Sequence, residues 1–273
     1  AVLDPWATPQ AYDNAKDFFD TGITWSNSLN VAQMLDKSSY SISLGNTHQD
    51  GIISSTGMDR YNVKVSADTK LTNNWSSGFT ANYITTSIDK AVTSGNGLLR
   101  TVYAAPPSYD LAGIPSHVDG NPYTQNSFRG SFDNAYWAME NNKFTEDTNR
   151  FFGNVYASYQ TDFGTTNHKL NAKYMVGVDA YTTHYVDSYG YGSNTGGGRG
   201  QIENYGWTNA TYNSLLTINY DWRINEDWGL NAVLGNEIIQ SNRKKYYEYG
   251  TNYNFPGWNH INNATTQQTE EET

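Results

Sequence analysis

The residues of this chain that could do chemistry do not gather into a catalytic pattern. The five histidines, His48, His117, His168, His184 and His260, show no HExxH motif and no paired spacing, so no metal site is expected. Asp plus Glu number 27, but no acidic pair stands out from the polar stretches around it. Glycoside hydrolysis needs two carboxylates about 5–10 Å apart. No G-x-S-x-G nucleophile elbow is present. The absence of cysteine removes thiol nucleophiles, disulfides and Cys-ligated zinc or iron–sulfur clusters. The glycine-rich run Tyr189–Gly200 is flanked by strand patterns rather than by a strand and a helix, so it does not read as a phosphate cradle but as a mobile loop. The reading is therefore a protein with no catalytic residues and no cofactor. What remains is aromatic. Tyr109, Tyr123, Tyr136 and Trp137 lie in one long segment, 89–145, and are the candidate ligand-binding residues. Flat rings suit the apolar C–H faces of sugars. The competing expectation is that these rings pack the loop upon itself.

The elements that must position these residues show a period of two. Trp75, Ser77, Phe79, Ala81, Tyr83 and Thr85 alternate with Ser76, Gly78, Thr80, Asn82, Ile84 and Thr86. Strict alternation marks a strand with two different faces. The same reading applies near Ile23–Val31, Tyr40–Leu44, Tyr61–Leu71, Phe151–Tyr159, Leu170–Ala180, Leu216–Trp222 and Trp228–Ile238. About eight strands are predicted. Short polar turns at 36–38, 72–74, 164–167 and 225–227 alternate with longer connections at roughly 49–58, 89–145 and 187–203. Within the longest connection, Leu98–Ala105 reads as a short helix stopped by Pro106 and Pro107.

Short turns at one end and long loops at the other are the pattern of outer-membrane barrels, whose strands need about 9–11 residues to cross the hydrocarbon. Trp75, Phe163, Trp222 and Trp228 stand beside the short turns, where an aromatic girdle belongs. The fold class is therefore all-β, an antiparallel transmembrane barrel sheet. Its polar face, with Lys64, Asp68, Asn82, Asn154, Lys173 and Asp179, is expected to line the lumen. The division is 1–22 as a loop leading in, 23–250 as barrel, and 251–273 as a polar tail or the start of a further loop. Two alternatives stand beside this. One is a stand-alone eight-stranded barrel serving as anchor or adhesin. The other is a soluble sugar-binding β-sandwich, which also alternates.

Composition agrees with a polar-lined sheet. Charged residues are 16% of 273, aromatics 15%, and mean hydropathy is −0.70. Lys plus Arg is 17 against 27 acidic residues, a net charge of −10. Nucleic acid is thereby a poor partner, since phosphate contacts need a basic stripe. The trio Arg243-Lys244-Lys245 reads as a solvated face or a contact to anionic lipid. The three glycosylation-type triplets at Asn74, Asn209 and Asn263 read as chance.

An ordered set of short motifs adds a resemblance. Asp17-Phe-Phe-Asp-Thr-Gly22 is similar to FFxTG. Tyr40-Ser-Ile-Ser-Leu-Gly-Asn46 followed by Gln49-Asp-Gly-Ile-Ile53 is similar to Y-x-S…QxGII. Arg60-Tyr-Asn62, Asp133-Asn-Ala-Tyr-Trp137 and Asn149-Arg-Phe-Phe-Gly-Asn-Val155 resemble R-x-N, NPYW and R-x-x-GN, with Ala135 where proline is commoner. Together, over residues 17–159, they resemble the SusC/RagA-like branch of TonB-dependent outer-membrane transporters. That resemblance implies a 22-stranded barrel closed by a plug in the outer membrane of a Gram-negative cell. It implies import of oligosaccharides or peptides, with a SusD-like surface lipoprotein as lid and the TonB complex as energy source. No plug and no TonB-contacting segment is found before the first strand, and the carboxy end reads as an acidic stretch rather than a strand. The expectation is an internal portion of such a barrel wall, embedded in outer-membrane lipid.

Overall fold

A computed structural model describes residues 10–92, 97–165, 167–195 and 197–272. The architecture is one antiparallel sheet of nine strands in sequence order, with three short helices at one end. The strands are β1 (Thr24–Met34), β2 (Ser38–Asp50), β3 (Gly57–Lys70), β4 (Trp75–Lys90), β5 (Lys143–Thr161), β6 (His168–Tyr191), β7 (Arg199–Arg223), β8 (Gly229–Tyr253) and β9 (Ala264–Glu272). The helices are α1 (Asn14–Phe18), α2 (Leu98–Ala104) and α3 (Ala135–Asn141). The predicted helix before Pro106 is α2.

The register explains why the separately read alternations belong together. Leu29 pairs with Leu44, Leu44 with Val63, Val63 with Tyr83, Tyr83 with Phe151 and Phe151 with Ala180. These residues form one row across six strands, all on one face. A parallel row runs Trp75, Tyr159, Ala172, Ile218, Leu234. Between and below them lie Phe79, Val155 and Val176, then Tyr220 and Trp222 near the short turns. This face is bare: Leu29 is 58% exposed, Val155 53% and Leu234 65%. A continuous apolar patch of that extent is far beyond what a water-facing surface carries. A sandwich would cover it with a second sheet, and among the described residues there is none.

The short turns are set by local chemistry. The Asn225 Oδ1 accepts from the backbone N–H of Asp227 at 2.9 Å and of Trp228 at 2.8 Å, an Asx turn that reverses the chain between β7 and β8. Thr72 Oγ1 does the same for Asn74 and Trp75 between β3 and β4.

Two sequence expectations are corrected and one alternative is set aside. The strands number nine, because Ala264–Glu272 is a strand and not a polar tail. Its register, Tyr247 to Glu270 and Lys245 to Glu272, comes from pairing with β8 and from a 2.8 Å Lys245–Glu272 ion pair. The sheet does not close, which agrees with the expected arc and not with the alternative of an eight-stranded barrel complete in itself. The connection read at 187–203 is shorter than expected: β6 reaches Tyr191 and β7 begins at Arg199, so the glycine-rich run Tyr189–Gly200 is strand at both ends.

The larger of two apolar clusters among the described residues is not in the sheet. It sits at the long-loop end, where Phe18, Ile53, Leu98, Val102, Leu111, Ala135, Trp137 and Ala138 pack together. It joins α1, the β2–β3 loop, α2 and α3 into a cap.

Candidate functional site

The six predicted lumen residues share the face opposite the apolar one. Lys64 pairs with Asn82, Asn82 with Phe152 and Phe152 with Asp179. Asn154 pairs with Thr80 one row on, and Asp68 and Lys173 lie on either side of Tyr156. Several of these are held rather than free. The Tyr156 hydroxyl donates to Asp68 at 2.6 Å, and the Lys173 ammonium stands 4.2 Å over the Tyr156 ring. Arg150 donates to both Asp179 oxygens, at 2.8 and 2.6 Å, in a bidentate fork. A polar wall therefore runs along this face, braced strand to strand.

The four aromatic candidates of the long loop behave differently from the ligand-facing reading. Trp137 is 0% exposed, and its indole N–H donates to the Pro122 carbonyl at 2.9 Å. It is a core residue of the cap. Tyr136 is half-buried, edge-on to Phe18 at 5.4 Å, and its hydroxyl donates to the Asp17 carbonyl. Burial, then the charges of Asp17, Asp110 and Asp20, pushes its hydroxyl above the ordinary phenol range. Tyr109 is half-buried against Phe128, and Tyr123 lies against the loop after β8 at Gly257. These rings build the cap.

The Asp133–Trp137 motif shows why. The Asn134 side chain caps α3 by accepting from the backbone N–H of Tyr136 at 3.0 Å and Trp137 at 3.3 Å. Asp133 is buried and accepts three hydrogen bonds: from Gln125 Nε2 at 2.7 Å, Ser193 Oγ at 2.5 Å and the Asn194 backbone N–H at 2.7 Å. Ser193 and Asn194 belong to the β6–β7 turn, so one carboxylate ties that turn to the long loop. Gly192 in the same turn has φ +99° and lies against Trp137, where a side chain would meet the Tyr123 carbonyl. Asn263, in a glycosylation-type triplet, is likewise buried, donating to the Phe255 and Trp258 carbonyls.

A ring-rich surface on the polar face was not predicted. It lies on the upper parts of β5 to β8, on the same face as Asp179. Tyr185, Tyr205 and Tyr247 pair in one row, ended by Glu146 and Glu270. Tyr185 and Tyr205 stack at 4.8 Å and 5°, and Trp207 leans on Tyr185 at 5.5 Å. Each tyrosine hydroxyl has a carboxylate on the preceding strand: Glu146 for Tyr185, Asp187 for Tyr205 at 3.1 Å, and Glu203 for Tyr247. Burial first, then Asp187, pushes the Tyr205 hydroxyl up to about 12, so it remains a donor. Lys90 stands 4.5 Å over Tyr185 and 3.5 Å from Glu146, and Arg243 lies 4.8 Å over Trp207. A cleft of about 430 Å³ beside it is lined by Lys90, Asp89, Glu140, Lys143 and Phe144. The signal was present: Tyr181, Tyr185 and Asp187 keep the parity of Asp179. The alternation was stopped at Ala180, where the apolar face ends.

No three His, Asp or Glu side chains among the described residues converge to hold a metal. What the wall can do is bind: rings, hydroxyl donors, carboxylates and two cations line one face of an open arc. Fold and wall together define an open antiparallel sheet of the barrel-arc kind, apolar on one face and polar on the other. No protein-family model and no curated relative matches the chain. Solved structures do. The RagAB peptide importer in its closed-closed state overlays with a TM-score of 0.76 at 16% identity, covering 96% of this chain and 30% of the other. The RagAB peptide transporter gives 0.73 at 14%, covering 98% and 31%. The open-open RagAB importer gives 0.76 at 14%, covering 98% and 30%. The chain thus spans about a third of the length of the structures it resembles, and the likeness at this identity is one of fold.

Proposed function

We propose that this chain is part of the barrel wall of an outer-membrane transporter that imports peptides or oligosaccharides. The observation that carries the reading is the two-faced open sheet. Its outer rows are apolar over a height that suits a bilayer, and its inner rows are polar and braced. An open sheet in lipid needs further strands, because each orphan backbone group there costs several kcal/mol. Gly229–Lys244 of β8 has no partner on the side away from β7 among the described residues. A larger barrel supplies those partners and leaves a lumen for cargo. In this reading the short turns face the periplasm, the cap of α1 to α3 faces outward, and the remaining outer rows meet outer-membrane lipid. A SusD-like lipoprotein would sit over the cap, and a plug elsewhere in the assembly would couple transport to TonB.

The test uses an antibody to residues 97–142 on outer-membrane fractions. The expected species is several times heavier than 30.6 kDa. Labelled oligopeptide or oligosaccharide uptake should depend on that species and on TonB. Uptake unaffected by loss of either would sink the transport reading.

A further inference from the structure

The lower rim of the apolar face carries one histidine in a defined setting. His168 opens β6 and pairs with Trp222, which pairs with Leu230. This is the lowest outward row of β6 to β8, and Tyr220 stands diagonally above His168. The imidazole stacks on Trp222 at 5.7 Å and 18°, and on Tyr220 at 6.0 Å and 24°. Its Nδ1 lies 2.7 Å from the Tyr220 hydroxyl. The nearest cations in sequence, Lys169 and Arg223, have the opposite parity and belong to the inner face. The strand sets the height of this row. At about 3.3 Å per residue and a tilt of about 40°, the stretch from His168 to Ala180 rises about 30 Å, the thickness of a hydrocarbon core. Above Ala180 the outward residues turn polar, as Thr182 and His184. His168 therefore stands at the headgroup level of the other leaflet.

We propose that His168, Tyr220 and Trp222 form a headgroup site for a phospholipid of the periplasmic leaflet, with the imidazole donating to the phosphodiester. The proposal rests on the membrane placement of the transport reading and not on its cargo. A phenol is a stronger proton donor than a neutral imidazole, so the Tyr220 O–H is directed to Nδ1 and the ring hydrogen sits on Nε2. Nε2–H is then a donor for an anionic phosphate oxygen, a charge-assisted bond. The two stacked rings hold the imidazole in place, so little freedom is lost when lipid binds. Trp222 and Trp228, 38% and 70% exposed, are the amphipathic rings that belong at this depth. Leu170 and Ile218, higher on the same face, are placed for the acyl carbons nearest the glycerol. A free phosphate ion has no such apolar half, and this commits the site to lipid. At this level no Lys or Arg faces outward on β6 to β8 among the described residues. One neutral donor suits the single charge of a phosphodiester better than the clustered phosphates of a lipopolysaccharide.

The experiment measures lipid binding, not transport. The native assembly, purified with its companions in maltoside detergent, is titrated with a phosphatidylethanolamine that carries a photoreactive group on its first acyl carbons. A diacylglycerol with the same chains and group, but no phosphate, is the comparison. Adducts are mapped by mass spectrometry to the lower ends of β6 and β7, on folded, heat-modifiable protein only. The phospholipid should label these segments at lower concentration than the diacylglycerol. His168→Phe keeps a stacking ring and loses the donor. It should raise the half-labelling concentration of the phospholipid about fivefold and leave the diacylglycerol unchanged. His168→Gln, whose amide still donates, should fall between. Tyr220→Phe, which releases Nδ1, should weaken the phospholipid alone and by a smaller factor. Equal labelling by the two lipids, or equal losses for both in His168→Phe, would overturn the proposal and leave a plain aromatic girdle. So would competition by millimolar inorganic phosphate, the mark of a free-anion site. The membrane placement is scored by the same data: no labelling of this rim by either lipid would sink placement and site together. Labelling by both with no effect of His168→Phe would sink the headgroup site alone.

Discussion

Leu170–Ala180 and Tyr181–Tyr191 are two halves of one strand, β6, and they are held by different physics. In the lower half the odd-even division is complete in one direction: Leu170, Ala172, Tyr174, Val176 and Val178 all face outward. Among the described residues nothing covers them, and in the proposed reading lipid does. In the upper half the outward rows turn polar, as in Asp147, His184 and Tyr246, while the inward rows gather Tyr185, Tyr205 and Trp207. The strand has 24 residues where a membrane crossing needs about 9–11. The excess carries the ring-rich wall, and Gly190 within it donates to the Asn142 side chain beside the cap. One continuous ladder therefore serves two solvents, and the two halves should fail independently.

The sharpest test of that independence is Trp137→Ala. It removes the largest fully buried side chain of the cap core and should cost about 3–5 kcal/mol. Protease cleavage within 97–142 should rise steeply while the heat-modifiable barrel persists; loss of the barrel too would break the comparison. Val176→Arg attacks the other half. A charge on the lipid face near the midplane should cost about 2–4 kcal/mol and reduce the assembled barrel, whereas Met175→Arg on the opposite face should assemble normally. Equal assembly of both would mean that the apolar rows do not meet lipid.

Smaller effects sharpen the upper half. Asp133→Ala strands the donors of Gln125 and Ser193 and should cost the cap about 1.5–3 kcal/mol, read as faster amide exchange in both the long loop and the β6–β7 turn. Asn134→Ala removes the α3 cap and the bond to the Asn126 carbonyl and should cost about 1–2 kcal/mol, with exchange rising in α3 and beside Asn126 but not in the β6–β7 turn. The smallest effect is a pH dependence at the outer polar collar. The hydrogen bond to Asp59, and then its charge, holds His48 above its ordinary value of 6.5. A raised folded value means that its contribution is full below 6.5 and is lost as pH rises through the raised value. Amide exchange in the 51–56 loop should therefore quicken with pH over that window beyond the intrinsic rate increase, and His48→Gln should remove the excess. Because His48 is exposed, the change should be slight.

Much of the lower half was legible beforehand. The period of two, the short turns and the shared polar face of Lys64, Asp68, Asn82, Asn154, Lys173 and Asp179 each depend on neighbours in sequence. Contrast between faces marks a strand wherever one face meets lipid. The upper half was misread for the same reason. Ala264–Glu272 has no apolar face, so its strand existed only once Tyr247 and Lys245 lay beside it. Trp137 was read as a ligand ring because sequence shows an aromatic but not its burial.

Sequence by itself determined that the chain forms long, two-faced antiparallel strands, since side-chain parity is a local property of the extended backbone. It also excluded cysteine chemistry outright. Only the tertiary structure decided that the sheet stays open, that the motif aromatics build a cap, and that Tyr185, Tyr205, Trp207 and Arg243 share a wall. Those facts depend on register, and register brings together residues far apart in the chain.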